Sequence, residues 1–395
     1  MFIAFCNLLF VLWTWRPTPT PDTVTKNVVV LGGSFAGIEL VRRLVETLPT
    51  GYRVILVEKN SHLHYAFNFP RFAVMKGHES EAFIPYRGVE RQAVVGILTR
   101  IQGVAVGLTQ TQVILASGER IGYAYLAIAT GSSQPLPARV TATEQEEACR
   151  ELRGVQGIIG ASERIAVVGG GAVGVEMASD IKDFCPDKDV TLIHSRERLL
   201  NGFGERLGAY ALAALRDELD VRVLLGERPA LPVHVIRGGM AGPAALTFSD
   251  GNVEEFDLVI NCTGQRPNSS ILSSLFPSAI SKETSRILVR PTLQVVAADD
   301  TPNAAEKETN IFAFGDVAEH GGPRMARAGW MQAPVVLDNI LAMIRGKKPS
   351  RKYTPDLFIE GAIKLTLGKT HSVVKKPYAQ LTVSDSSKPN KKSDI

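Results

Sequence analysis

Two glycine-rich turns, each followed by a strand that ends in a polar side chain, are the parts of this sequence best suited to chemistry. The first is Gly32-Gly33-Ser34-Phe35-Ala36-Gly37, set between the apolar run Val28-Val29-Val30-Leu31 and the helical pattern opening Ile38-Glu39-Leu40. A second apolar run, Arg53 to Val57, ends in Glu58. Strand, tight turn, helix, strand and acid together are the pattern of a dinucleotide cradle, the alternative being a glycine-rich turn of an ordinary α/β protein. Gly32 permits the turn, Gly33 and Ala36 are its small members, and Gly37 lets the helix pack close to the strand. A pyrophosphate then rests on the free N–H groups of the helix N-terminus, and Glu58 is placed to accept from a ribose diol. The middle glycine of the usual pattern is Ser34, small enough to admit phosphate and able to donate its hydroxyl.

The second turn, Gly169-Gly170-Gly171-Ala172-Val173-Gly174, is a complete G-x-G-x-x-G between the strand Arg164 to Val168 and a helix beginning near Val175-Glu176. Gly169, Gly171 and Gly174 are its fixed members. Its following strand, Val190 to Ile193, ends at His194, where a carboxylate would read the 2′-hydroxyl of NADH. The sequence there is His194-Ser195-Arg196-Glu197-Arg198. No carboxylate stands at the strand end to repel a 2′-phosphate, and Arg196 or Arg198 can pair with one, so NADPH is permitted. The alternative is that these arginines are solvated and either nucleotide serves.

Both turns must be presented by parallel-sheet units. Tyr125 to Ala129 is a buried-strand pattern ending in Thr130-Gly131, and Leu258-Val259-Ile260 leads into Thr263-Gly264. A matched strand and Thr-Gly pair in both halves implies two homologous nucleotide domains. A third strand, Asn310 to Phe314, ends in Gly315-Asp316. In a two-fold flavoprotein that Asp holds the ribityl chain of FAD, so the first domain resumes there. The expected fold class is α/β: two Rossmann-like dinucleotide-binding domains, the FAD domain split in sequence and the NAD(P)H domain inserted, plus a small C-terminal segment. The boundaries read as residues 1–25 for an apolar segment and Pro-rich linker, 26–140 and 286–345 for the FAD domain, 141–285 for the NAD(P)H domain and 346–395 for the tail. Val94 to Ile121 reads as an antiparallel meander, Gly208 to Leu219 and Ala326 to Ile344 as helices, Thr247 to Ile260 as a hairpin, and Lys352 to Leu367 as a strand pair. The Ser/Lys-rich stretch after Val383 reads as disordered.

Bulk numbers narrow the function. A chain of 395 residues has room for two or three domains, and a net charge of +4 implies no nucleic-acid surface. Four cysteines, Cys6, Cys149, Cys185 and Cys262, are scattered without a C-x-x-C, which argues against a disulfide framework, a zinc site and a dithiol redox centre. The histidines lack ligand-spaced partners, so no metal site is expected. Electrons must then run through a bound cofactor. His62 to Arg71 is aromatic-rich and reads either as a cover over the flavin ring and phosphates, with Arg71 among the cofactor-binding residues, or as an apolar plug beneath a helix. Phe2 to Trp15 is an uncharged, mostly apolar run of about 21 Å as a helix, shorter than a ~30 Å hydrocarbon core. With Trp13, Trp15 and Arg16 at its edge, it reads as a membrane anchor or monotopic insert. Membrane association, with the catalytic domains in a reducing compartment (cytoplasm or mitochondrial surface), is the expectation.

These motifs resemble the two-dinucleotide-binding-domain flavoprotein superfamily and, within it, the AMID-type group of apoptosis-inducing-factor-like, ferroptosis-suppressor-type NAD(P)H:quinone oxidoreductases. The likeness rests on Val28 to Gly37 with Ser34, Val168 to Glu176, Val190 to Arg196, Phe314-Gly315-Asp316-Val317-Ala318, Pro323-Arg324-Met325-Ala326, and Leu365 to Gly368. The resemblance implies FAD and NAD(P)H as cofactors and a quinone or quinoid metabolite as acceptor. Glu176 then holds the nicotinamide end, unless it merely stabilises a helix N-terminus. Arg324 steadies the flavin's pyrimidine edge, unless it is a surface residue. A lipid quinone suits the apolar N-terminus and the Trp330-Met331-Gln332 helix lip. N-myristoylation needs a glycine after the initiator, and Phe2 stands there. Two alternatives are a tailoring oxidoreductase of a biosynthetic pathway acting on a small aromatic metabolite, and a slow-turnover NAD(P)H-binding redox sensor.

Overall fold

The computed structural model describes residues 25–296, 309–369, 371–375, 381–385 and 393–394. The apolar run 2–15 and most of the stretch after residue 385 lie outside the described residues. Strand β1 (Lys26–Leu31) leads through the first turn into helix α1 (Phe35–Thr47), and strand β2 (Tyr52–Glu58) lies parallel to it. A short helix α2 (Phe69–Phe72) follows, then β3 (Leu98–Gln102) and β4 (Tyr125–Ile128). Helix α3 (Gln145–Ala161) connects to the second unit: β5 (Arg164–Val168), α4 (Ala172–Phe184), β6 (Asp189–His194), β7 (Arg222–Leu225) and β8 (Leu258–Asn261). The chain then returns through β9 (Ile311–Ala313) and the long helix α5 (Ala326–Ile344). Helix α6 (Leu357–Glu360) precedes an antiparallel set, β10 (Ile363–Leu367), β11 (His371–Lys375), β12 (Leu381–Asp385) and Ser393–Asp394.

The two large sheets repeat one another. The first has the order β9-β4-β1-β2-β3, all parallel, and the second the order β7-β6-β5-β8 with an antiparallel pair, Met240–Ala241, at its edge. Matching β1 with β5, β2 with β6, β3 with β7 and β4 with β8 makes the orders identical. Such strands are covered on both faces, so they are continuously apolar. Val28 and Val30 pack against Leu40, Val41 and Leu44 of α1 and Ile340 of α5, while Val29 and Leu31 face Val113 and Leu115.

Several expectations shift. The meander loses its first piece: Leu98–Gln102 pairs in parallel with β2, and only Ala105–Leu108, Gln112–Leu115 and Arg120–Gly122 form the antiparallel set. Ile271, Leu272 and Ala279 share the core of β1, ahead of the expected return to the first domain at residue 286. The helix expected over 208–219 spans Glu205–Ala213 and then widens to a π-turn at Ala214–Glu218. The region 352–367 holds α6 and one strand, whose partner β11 comes later. Val383 itself lies in β12. Leu365, Leu367 and Val373 enter the core of α4 and β5, each buried leucine contributing about 1.5–3 kcal/mol relative to exposure. The C-terminal strands are therefore part of the second domain's packing.

Candidate functional site

At the first turn, Gly32 has φ +97° and its N–H donates to the Val57 carbonyl at 2.9 Å. A Cβ at Gly37 would collide with the Gly32 carbonyl, so strand and helix meet as closely as backbone allows. No side chain caps the N-terminus of α1, which leaves its first N–H groups for an anion. The Glu58 carboxylate sits beside them. Its Oε2 accepts from Gly33 N at 2.6 Å and its Oε1 from Asn60 N at 2.8 Å. Each oxygen keeps acceptor capacity for a diol. Tyr86, absent from the sequence reading, donates its hydroxyl to the Gly33 carbonyl at 3.0 Å, and burial holds that phenol firmly protonated.

The other wall is equally fixed. Thr130 donates to the Asn268 carbonyl at 2.9 Å, Asn268 Nδ2 returns a bond to the Thr130 carbonyl at 2.8 Å, and Asn268 N reaches the Gly131 carbonyl at 2.9 Å. Asp316 Oδ2 accepts from Gln265 Nε2 at 3.0 Å and from Ser132 Oγ at 3.3 Å. Gly315 N donates to Gln332 Oε1 at 2.7 Å, and Ala36 packs between Gly315 and Gly329, where any added Cβ would crowd it. Arg139 was also missed. Its Nε is buried without a hydrogen-bond partner, burial lowers its pKa, and Asp316 and Glu58 are the acids whose charge it feels. A buried cation within electrostatic reach of both Asp316 and Glu58, together with an uncapped helix N-terminus, fits a dinucleotide's diphosphate.

The second turn repeats the first with one substitution. Gly169 has φ +121°, and its N–H donates to the Ile193 carbonyl at 2.8 Å. A Cβ at Gly174 would strike the Gly169 carbonyl, whereas Gly171 faces open space. Gly170 N donates to His194 Nδ1 at 3.0 Å, and His194 Nε2 lies 3.0 Å from Asn201 Oδ1. The imidazole thus takes the place that Glu58 holds in the first copy, with its proton on Nε2. Arg196 is exposed, Arg198 lies 3.6 Å from Glu205, and Gly264 is an open left-handed turn at φ +85°.

Between the domains, Glu176 on α4 accepts at one oxygen from Thr366 N at 3.1 Å and Thr366 Oγ1 at 3.2 Å. Burial pushes its carboxyl up to about 7, and the charge of Asp180 acts in the same direction. The Arg71 guanidinium bridges the domains, binding Asp180 at 2.8 and 3.1 Å and the Gly368 carbonyl at 2.6 Å. Burial raises Asp180 to about 6 despite that pairing. Arg324 pairs with Glu319 at 3.0 Å and is 40% exposed. The loop from His62 divides between its two readings: Phe69, Phe72 and Phe83 are buried beneath α3, while Tyr65 and Phe67 meet Phe35 at ring distances of 5.6 and 5.0 Å.

Cys149, Cys185 and Cys262 are free, and burial pushes the Cys262 thiol up to about 12, far from a reactive thiolate. Among the described residues no group of His, Cys, Asp and Glu is arranged to hold a metal ion, and no helix is long and apolar enough to cross a membrane. A cavity of about 580 Å³ opens between the first turns of α1 and α5, lined by Phe35, Ile38, Ala326, Trp330, Met331 and Ile359, with Glu39 and Arg327 at its polar edge. Gln332 is not part of it, being fully buried against Gly315.

The sequence matches the pyridine nucleotide-disulphide oxidoreductase family over residues 26–333. It is 32% identical to Fe-regulated protein 8 of Mycosarcoma maydis, with 91% of each chain covered. It is 29% identical to ferroptosis suppressor protein 1 of Homo sapiens, with 83% of each covered. Among solved structures it is similar to an NAD-dependent persulfide reductase from A. fulgidus, at a TM-score of 0.65 and 20% identity, covering 91% of this chain and 64% of that one.

Proposed function

The chain belongs to the pyridine nucleotide-disulphide oxidoreductase family, and on that footing we propose that it is a quinone reductase that draws its electrons from NAD(P)H without a protein thiol. It is an FAD-dependent NAD(P)H oxidoreductase. When bound, FAD supplies the capacity to take a hydride from the nicotinamide and pass electrons on. The chain's own residues bind and orient. Glu58, Arg139 and Asp316 hold the flavin dinucleotide along its length, and the N-terminus of α4 with His194 holds the second nucleotide. Glu176 receives the nicotinamide end, and Arg324 is the basic group near the flavin's pyrimidine edge.

The observation that carries the acceptor reading is the apolar cavity at Trp330 and Met331 beside the two helix N-termini, in a chain without a redox-competent cysteine pair among its described residues. A cavity of that size and lining suits a flat aromatic head with an apolar chain. The relatedness to ferroptosis suppressor protein 1 and the apolar run 2–15 support a lipid-borne quinone and membrane association. The test is anaerobic reduction of the purified protein followed by reoxidation with soluble and long-chain quinones. Deleting residues 1–21 is expected to abolish turnover of vesicle-borne quinone and leave that of a soluble analogue. Failure of every quinone to reoxidise the reduced enzyme would overturn the reading.

The His194 imidazole supports acceptance of NADPH, since it presents no negative charge to a 2′-phosphate. His194→Glu restores the geometry of Glu58 in the second copy and is expected to weaken NADPH relative to NADH by at least about tenfold. An unchanged ratio of the two dissociation constants would contradict the assignment.

A further inference from the structure

The Glu176 carboxylate takes both its hydrogen bonds from one residue, Thr366, 190 positions later, through the backbone N–H at 3.1 Å and the hydroxyl at 3.2 Å. We infer that Thr366 is a positioning residue of the hydride-transfer site, and that the C-terminal strand β10 thereby fixes the placement and ionisation of the Glu176 carboxylate. The inference rests on the reading that Glu176 meets the nicotinamide.

The contact is built into the fold. Glu176, Asp180 and Asp183 recur at intervals of four and three on one face of α4, where side chains line up. Each is engaged by residues distant in sequence. Asp180 takes Arg71 of α2, and Arg71 also donates to the Gly368 carbonyl at 2.6 Å. Asp183 accepts from Lys369 N, and Lys369 Nζ reaches the Asp183 carbonyl at 2.8 Å while lying 4.5 Å from the Phe184 ring. Leu365 and Leu367, on either side of Thr366, are fully buried. Residues 366–369 are thus fastened along the helix that opens at the NAD(P)H turn, and they reach the FAD domain through Arg71.

The charged groups acting on Glu176 are therefore few. Asp180, one turn along the same helix, disfavours its ionisation. Arg71 favours it from the facing domain, and the two Thr366 donors do the same. Asp183 and Lys369 lie further along the helix, where the Asp183 carboxylate accepts from Lys369 N and the Asp183 carbonyl from Lys369 Nζ. Removing the Thr366 hydroxyl deletes one stabiliser of the carboxylate and leaves burial and Asp180 opposing it. The carboxyl then titrates at higher pH, by on the order of one unit for a hydrogen bond to a charged group.

The test uses the full FAD-loaded chain with Thr366→Val and Thr366→Ser. Difference infrared spectra against pH follow the protonated carboxyl band that Glu176→Gln removes. Calorimetric binding of NADP+ over the same range reports whether the nucleotide follows that titration. We expect the band's midpoint to rise by about one unit in Thr366→Val and to return to the native position in Thr366→Ser, with NADP+ affinity shifting in parallel. A midpoint equal in all three proteins overturns the inference, and so does a band that Glu176→Gln fails to remove. A lower melting temperature in Thr366→Val with an unmoved midpoint also overturns it, because a merely structural threonine behaves that way. If the midpoint moves and NADP+ affinity ignores it, the nicotinamide reading of Glu176 fails instead.

Discussion

Glu58 and His194 stand at equivalent strand ends and accept the same kind of N–H, from Gly33 at 2.6 Å and from Gly170 at 3.0 Å. The carboxylate does this as an anion with acceptor capacity to spare, whereas the imidazole spends its one free lone pair on the turn. Glu58→Gln keeps the shape and loses the charge. It should weaken FAD by roughly 10- to 100-fold, the cost of downgrading hydrogen bonds to a charged group, as measured by flavin release on dilution. An unaltered affinity would show that Glu58 only braces the turn. Glu176 carries a different signature. Its folded-state pKa of about 7 lies above the ordinary value of 4.5, so the folded chain binds the extra proton and loses stability as pH rises between those values. Glu176→Gln never ionises and escapes that loss. It should gain up to about 3 kcal/mol over the native chain on going from pH 5 to pH 8, read from urea midpoints. Equal pH dependence of the two proteins would refute the burial argument. These acids and the turn glycines were legible because the signal is local: strand, turn and acid lie within about thirty residues of one another. Tyr86, Arg139 and Thr366 were not, since each meets the site through a fold contact that no spacing rule encodes.

At the scale of elements, closeness of strand to helix decides which changes the turns tolerate. A methyl at Gly37 or Gly174 has no room against the carbonyl at the start of its own turn. Gly174→Ala should abolish reduction by NAD(P)H while FAD stays bound, and Gly37→Ala should yield protein without flavin; both are read from absorbance spectra. If Gly174→Ala were reduced at the native rate, the second turn would not be the nucleotide cradle. The stretch holding helix α2 reads from sequence as either a flavin cover or an apolar plug, and in the structure its Arg71 clamps the domains. Asp180→Asn leaves that guanidinium without its counter-charge at a position where Asp180 is 1% and Arg71 24% exposed. A loss of about 3 kcal/mol is expected, the lower end for a broken buried pair, measured by denaturant unfolding. The long helix α5 was bounded correctly from its apolar pattern. By contrast, β3 was misplaced among the meander strands because a short alternating run does not reveal its partner.

Over the whole molecule, two sheets with one strand order place two phosphate-binding turns in a single chain, and the C-terminal segment fastens to α4 through Thr366 and Lys369 and reaches the first half through the Gly368 carbonyl, which accepts from Arg71. The duplication was visible in sequence because turn, strand-end residue and Thr-Gly pair recur in register. The return crossing was not, since residues 271–279 join the first domain's core through packing alone. The family's name includes a disulphide, whereas Cys149, Cys185 and Cys262 are all free. If flavin is the sole redox centre, reduction must be stoichiometric with it. The most direct test is an anaerobic titration of the FAD-loaded protein with NADPH, following flavin absorbance. One equivalent per flavin for complete bleaching is the predicted result. Consumption of a second equivalent, or a flavin that NADPH does not bleach, would contradict the account.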